Sequence, residues 1–376
     1  MSVLRQKLSD SLPTSNKTVH VLIMMAMLLF LAFGITGLGV FTLMYSLSTM
    51  SAGHDSATSH GISSMSSSRL GGVAIVMCCL IFLIGIIILS PSTLGAADDA
   101  IFLPAWSTVF VCVILGASED FKADLLSPFV RLAAELLAFG IFFWITPSVV
   151  PDAIGVPLLD GLFASPLLAW AICTLFCVGF INAINMADGA NGLVPGIVFI
   201  ASVIFNSVMG ALVWEVLSIV SGVFLLFNVI SGRLFLGDAG AYGLGSILVL
   251  AGFYAVNTNR ISVEFAAVMM CYPCVEVVMS MIRRRLSGRS MFKPDNHHLH
   301  NYIHEQLKTK TRSRVAANSF TGLIIACAST GVAFVGSSWG YLEATSSQWG
   351  WVFVAQVLVY LLSYWGLSRP VRPVDT

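Results

Sequence analysis

Charge is what this sequence lacks: of its 376 residues only 10% are charged and 57% are hydrophobic, whereas about a quarter of a soluble domain is charged. That balance excludes an ordinary water-soluble globule and leaves a lipid bilayer as the fitting solvent. The formal net charge is zero, so no nucleic acid or other polyanionic partner is implied. A disulfide framework is missing too. The eight cysteines (Cys78, Cys79, Cys112, Cys173, Cys177, Cys271, Cys274 and Cys327) are scattered through apolar runs and read as small core residues. Cys271 and Cys274 form a CxxC, but with no second pair nearby it makes a poor redox or metal motif. A cleavable leader pattern is also lacking. The first apolar run, about Val21 to Leu47, is too long for a signal core and has no small-residue cleavage site, so it is expected to stay as an anchor.

What is present is a series of long apolar runs. A spanning helix needs about 20 mostly apolar residues, and eleven runs qualify, starting near Val21, Gly71, Ala100, Pro128, Phe163, Gly192, Trp214, Gly240, Ser262, Asn318 and Trp349. The expected fold is therefore all-α: a polytopic transmembrane helical bundle of ten to eleven spans. Residues 1–20 form an N-terminal tail, 21–368 a single membrane domain and 369–376 a C-terminal tail. Of the nineteen basic residues, thirteen fall in or beside the odd-numbered connections: Arg69, Lys122, Arg131, Arg233, Arg283, Arg284, Arg285, Arg289, Lys293, Lys308, Lys310, Arg312 and Arg314. The even connections hold only Arg260. By the positive-inside rule the odd connections lie in the cytoplasm, together with Arg369 and Arg372 of the C-terminal tail. Arg5, Lys7 and Lys17 argue the other way for the N-terminus and are outvoted by the alternation.

The polar clusters fall on that same face: Glu119, Asp120 and Asp124; Asn182, Asn185, Asp188 and Asn191; Asp238; and a histidine group. Such a gathering suits a charged, soluble co-substrate. Asp238 lies in LFLGDAGAYGLG, where glycines let the backbone approach a ligand; a Mg²⁺ ligand and a polar helix cap fit it equally. In NAINMADGANGL, four carboxamide or carboxylate side chains exceed what one helix end needs, and they suit cation ligation or reading a pyrimidine edge. His297, His298, His300 and His304 follow a run of arginines. Few carboxylates or thiols accompany them, which favours phosphate over zinc. Glu135, Glu215, Glu264 and Glu276 sit in or near spans without an obvious partner, and Glu276 is expected to face the polar helix end near Arg283.

Five ordered motifs, RLGGVAI, GASEDFKADLLSPFVRL, NAINMADGANGL, FLGDAGAYGLG and RRRLSGRSMFKPDNHHLH, run from Arg69 to about His304. At these residues the chain resembles the polyprenyl-phosphate N-acetylhexosamine 1-phosphate transferases, membrane enzymes that start lipid-linked glycans such as peptidoglycan and O-antigen. The resemblance implies attack of a polyprenyl (undecaprenyl) phosphate on the β-phosphorus of a UDP-sugar, with release of UMP. It further implies Mg²⁺, with Mn²⁺ as a substitute, held by Asp238 and Asn185. Asn191 would contact the uracil and Asp188 would organise nucleotide and metal. Glu119 and Asp120 would take the place of the family's acidic pair, and Arg289, His297, His298 and His300 would grip the sugar diphosphate; Asn182 belongs to the same substrate-binding group. The expected setting is the bacterial inner membrane with the site facing the cytoplasm; a homodimer is left open. Two departures stand out: Glu119-Asp120 replaces the usual Asp-Asp, and Asn191 replaces the last aspartate of DGxDG. The competing readings are a solute transporter, whose ionisable groups belong at mid-bilayer, and an inactive homologue.

Overall fold

The structure is a computed structural model that describes residues 16–50, 54–55, 67–89, 99–122, 125–288, 296–311 and 313–368. Arg5, Lys7, Asp124, Arg289, Lys293, Arg312, Arg369 and Arg372 lie outside the described residues. Fifteen α-helices follow one another among those described: α1 Asn16–Thr49, α2 Gly71–Leu89, α3 Asp99–Phe121, α4 Pro128–Ile145, α5 Pro157–Phe163, α6 Pro166–Ala187, α7 Leu193–Met209, α8 Leu212–Ser231, α9 Gly237–Asn257, α10 Val263–Met269, α11 Cys271–Leu286, α12 Leu299–Lys308, α13 Arg314–Ala326, α14 Val332–Ser338 and α15 Trp349–Leu367. The chain is thus an all-α, multi-pass membrane protein.

Each of the eleven apolar runs lies on one of these helices or helix pairs. By length and composition, however, seven described helices are able to cross a bilayer, or eight if the bent pair α10–α11 is one span. Three runs fall short: the first, on α1, is not among these helices, and the described apolar stretches of two others, Gly71–Phe82 and Leu193–Met209, are shorter helices. Proline at the first turn of α4, α5 and α6 supplies a preset φ where no N–H is needed. Glycines in the left-handed region at Gly210 and Gly232 end α7 and α8.

At the centre stands α9, the most buried of the candidate spans. Its glycines allow backbone to touch backbone, which is how helices pack in lipid, where hydrophobic drive between helices is lost. A Cβ on Gly72 would lie 2.0 Å from the Gly240 nitrogen, and one on Gly116 would lie 2.2 Å from the Asp238 carbonyl. The segment 68–72 also pairs with 233–236: Ser68 N–H donates to Arg233 O at 3.0 Å, Phe235 N–H to Ser68 O at 2.8 Å, and Gly71 N–H to Phe235 O at 2.9 Å. The first and fourth motifs are thereby stitched together.

The span α10–α11 bends by 76°. Pro273 cannot bond the Met269 carbonyl four residues earlier, and Thr330 Oγ1 donates to that carbonyl at 2.7 Å instead. Ser329 Oγ accepts from Tyr272 N–H at 3.2 Å. Both hydroxyls come from a π-helical turn, Cys327–Gly331, so one irregular turn satisfies the backbone freed by the other, as a lipid environment requires. The even-numbered connections meet at the opposite end of the bundle, where Asn257 donates to Ser148 O and Ser262 N–H to Ala344 O.

Candidate active site

The N-terminus of α9 organises one end of the bundle. A helix start leaves several N–H groups without intrahelical partners, and Asp120, at the end of α3, answers two of them: Oδ1 accepts from Asp238 N–H at 2.9 Å and Oδ2 from Ala239 N–H at 2.8 Å. Asp120 is 4% exposed, so its carboxylate serves as a remote cap with both oxygens engaged. Gly237 makes this geometry available. Its φ is +72°, and a Cβ there would lie 2.0 Å from Arg69 O and 2.8 Å from both Asp120 oxygens. Glu119, the neighbouring acid, accepts from Leu126 N–H at 3.1 Å and so holds the α3–α4 turn.

With the cap supplied from α3, the side chain of Asp238 is released for another task. Among the described residues its carboxylate accepts no hydrogen bond, and Arg69, Arg131 and Glu119 are its charged neighbours. The helix-cap role read for Asp238 is thus taken by Asp120. Asp188, just beyond α6, is pushed up to about 8, first by desolvation, then by Asp238 and Asp120, against the pull of Arg69 and the Gly237 N–H. Crowded carboxylates of this kind are relieved by a cation, and the donors are hard oxygens, as Mg²⁺ prefers. Among the described residues no three His, Cys, Asp or Glu side chains form a preformed metal cage. An ion held here would take one or two protein oxygens and complete its shell from phosphate and water.

The carboxamides divide. Asn185 Nδ2 donates to Tyr242 Oη at 3.2 Å, and the Arg131 guanidinium lies 5.6 Å over the Tyr242 ring. Asn182 donates to Glu135 Oε2 at 2.7 Å and to Val178 O at 2.9 Å, so it ties α6 to α4. Asn191 is buried and donates its N–H to Asn318 Oδ1 at 3.1 Å, while its own Oδ1 has no partner. Asn228, which lies in none of the five motifs, accepts from Gly192 N–H at 2.7 Å and donates to Leu234 O at 2.8 Å. It joins the third motif to the fourth.

The histidine segment closes the site. A Cβ on Gly189 would fall 2.2 Å from His300 Nε2, so that imidazole lies directly against the DGANG loop. Its other nitrogen is 2.9 Å from Tyr272 Oη. Burial holds the His300 pKa down to about 3, with His298 adding to the effect and Glu276 opposing it, and the ring is neutral. His298 stacks on His300 with centroids 5.2 Å apart. Glu276 does find partners, contrary to the sequence reading of an unpaired span carboxylate: His298 Nδ1 lies 3.0 Å from its Oε1, and Leu299 N–H donates to its Oε2 at 3.0 Å. His297 is exposed and its Nδ1 is 3.1 Å from Tyr302 Oη. Sequence reasoning missed Arg69, Arg131 and Tyr242 as site residues. Their signal was position, since each lies within a motif quoted for its acids or glycines.

Fold and site together describe a multi-pass membrane protein with an acidic cluster and a histidine segment at one end of its bundle. The description Glycosyl transferase family 4 matches residues 102–256, the stretch from α3 to the end of α9 that builds the acidic cluster. Phospho-N-acetylmuramoyl-pentapeptide-transferase of Levilactobacillus brevis is 25% identical over 243 residues, covering 58% of this chain and 73% of that protein. A "Probable undecaprenyl-phosphate N-acetylglucosaminyl 1-phosphate transferase" of Bacillus subtilis is 28% identical over 206 residues, covering 52% and 56%. The undecaprenyl-phosphate alpha-N-acetylglucosaminyl 1-phosphate transferase of Thermotoga maritima is 28% identical over 138 residues, covering 36% and 44%. The match thus spans about half the length of the latter two relatives. The chain is thus similar, over residues 102–256, to glycosyl transferase family 4, and to enzymes named as sugar 1-phosphate transferases.

Proposed function

We propose that this protein transfers an N-acetylhexosamine 1-phosphate from a UDP-sugar to a polyprenyl phosphate at the cytoplasmic face of a bacterial inner membrane. The observation that carries the reading is the meeting of two chemistries in one place: the carboxylate group of Asp188 and Asp238 beside Gly189, and the histidine segment resting on that same glycine through His300. An oxygen of the lipid phosphate forms a bond to the β-phosphorus, the bond from that phosphorus to the bridging oxygen breaks, and UMP leaves. Two anionic reactants must be brought together, so positioning and charge neutralisation carry most of the work. Asp238 and Asn185 would hold Mg²⁺, which when bound supplies positive charge to the phosphoryl oxygens.

The chain's own residues do the rest. Arg69 and Arg131 offset charge beside Asp238. The Asn191 amide oxygen, buried and unpartnered, is available to a base edge. Neutral His300 fixes the loop that carries Asp188. A phosphate monoester is already ionised at neutral pH, so Glu119 and Asp120 need not act as bases, and their hydrogen bonds support a positioning role. The test is a panel of UDP-sugars with undecaprenyl phosphate, with and without Mg²⁺, scored for UMP and lipid product. UMP formation that needs both lipid and metal supports the reading; no turnover with any sugar of the panel defeats it.

A further inference from the structure

The last helix, α15, lies outside the family match and outside the five motifs, yet it reaches the histidine segment. Tyr360 donates its hydroxyl to Glu276 Oε2 at 2.9 Å. One turn further on, Tyr364 Oη accepts from Arg283 at 3.2 Å and its ring receives the Tyr302 edge at 5.5 Å between centroids. Glu276 is 1% exposed; Ser280 Oγ at 3.4 Å, Leu299 N–H at 3.0 Å and the Tyr360 hydroxyl at 2.9 Å donate to it, and His298 Nδ1 lies 3.0 Å from its Oε1 and 3.3 Å from Ser280 Oγ. Three donors and one ring nitrogen occupy the acceptor sites of the carboxylate. An ionised Glu276 accepts from all four, which puts the His298 proton on Nδ1. Arg283 is set by the same group, through Ser280 Oγ at 2.9 Å and Tyr364.

We propose that Glu276, with Tyr360 and Tyr364 of α15, is a positioning apparatus that fixes the tautomer and direction of His298 and the direction of Arg283 toward the donor's diphosphate. This rests on the proposed function for what His298 and Arg283 grip, and on geometry alone for how they are held. The arrangement accounts for a carboxylate inside a span, where an unpartnered one is costly. It also gives α15 a part in the chemistry although none of its residues touches substrate.

The experiment has two arms. With ¹⁵N-histidine-labelled protein in detergent, and His298 assigned from His298→Gln, the parent should show the proton on Nδ1, and Glu276→Gln should move the His298 nitrogen resonances. This arm needs no turnover, so it decides the proposal even if no UDP-sugar is a substrate, an outcome that would defeat only the proposed function. In the second arm, Tyr360→Phe should lower kcat/KM for the UDP-sugar by about 2- to 12-fold, the worth of one hydrogen bond. Tyr341→Phe, exposed and on the opposite end of the bundle, should not. The double variant Glu276→Gln/His298→Gln should lose no more than His298→Gln alone, because the carboxylate acts through that ring. If Glu276→Gln fails to fold, Tyr360→Phe carries both arms. Unmoved His298 resonances, or strictly additive losses together with full activity in Tyr360→Phe, would overturn the proposal.

Discussion

Asp120→Asn and Asp238→Asn remove the same charge at one helix start, and the structure assigns them opposite effects on stability. Asp120 accepts two backbone N–H groups at the start of α9, at 2.9 and 2.8 Å, and is 4% exposed. An asparagine there keeps one acceptor and turns an NH₂ against the other N–H. One charge-assisted bond is lost, worth about 1.5–3 kcal/mol, and a buried donor is left facing a donor, which costs about 1–3 kcal/mol more. The favourable charge at a helix N-terminus goes with them, about 0.3–1 kcal/mol. A total near 4 kcal/mol corresponds to an apparent thermal midpoint lower by on the order of 5 °C for a chain of this length. The assay is a detergent melt followed by intrinsic fluorescence and by size-exclusion recovery, run beside Mg²⁺-dependent UMP release. Asp120→Asn should lose both stability and turnover. An unchanged midpoint in Asp120→Asn would refute the capping role and return Asp120 to the reacting groups.

Further outcomes follow from the same geometry. Asp238→Asn should cut turnover at least about 100-fold while holding or raising the thermal midpoint, since its carboxylate accepts no hydrogen bond and stands beside Asp188; the same melt and assay check it. Gly237→Ala meets Arg69 O at 2.0 Å from a left-handed φ of +72° and should cost at least about 3 kcal/mol, read as loss of monodisperse protein or of the melt transition. His300 stays neutral down to about pH 3, whereas the unfolded chain protonates near pH 6.5. Its contribution is therefore complete above about pH 6.5 and is lost as pH falls toward 3. The midpoint of the parent should drop more between pH 7.5 and pH 5 than that of His300→Gln, and equal drops would contradict the buried neutral ring. A single cysteine near Ser346 should label from outside and one near Lys310 only after the membrane is opened; the reverse pattern would move the proposed site to the wrong side.

Much of the site could be read from sequence because its acids, amides and histidines cluster in short motifs. What the motifs could not show is which side chain serves which backbone. Asp120 and Glu119 look alike as neighbours, yet one reaches 119 residues along the chain to Ala239 and the other holds a turn seven residues away. Asn228, Asn318 and Tyr360 are single polar residues in apolar runs, and nothing in local pattern assigns them to a partner 36, 127 or 84 residues distant. A usable signal did exist: a buried polar group in a span is costly unless bonded. That reasoning drew attention to Glu276, and it applies equally to Glu135 and Asn228. The broken span was hidden for a related reason. Pro273 marks the break in sequence, but the hydroxyls that repair it, Ser329 and Thr330, belong to another helix.

The most direct measurement of the central claim follows the β-phosphorus. UDP-N-acetylhexosamine carrying ³²P in the β-phosphate, incubated with purified protein, undecaprenyl phosphate and Mg²⁺, should deliver the label to the lipid fraction and leave unlabelled UMP in the water phase. Label retained in UDP, with unlabelled sugar on the lipid, would mean that the sugar–phosphate bond is the one that breaks and would contradict the account.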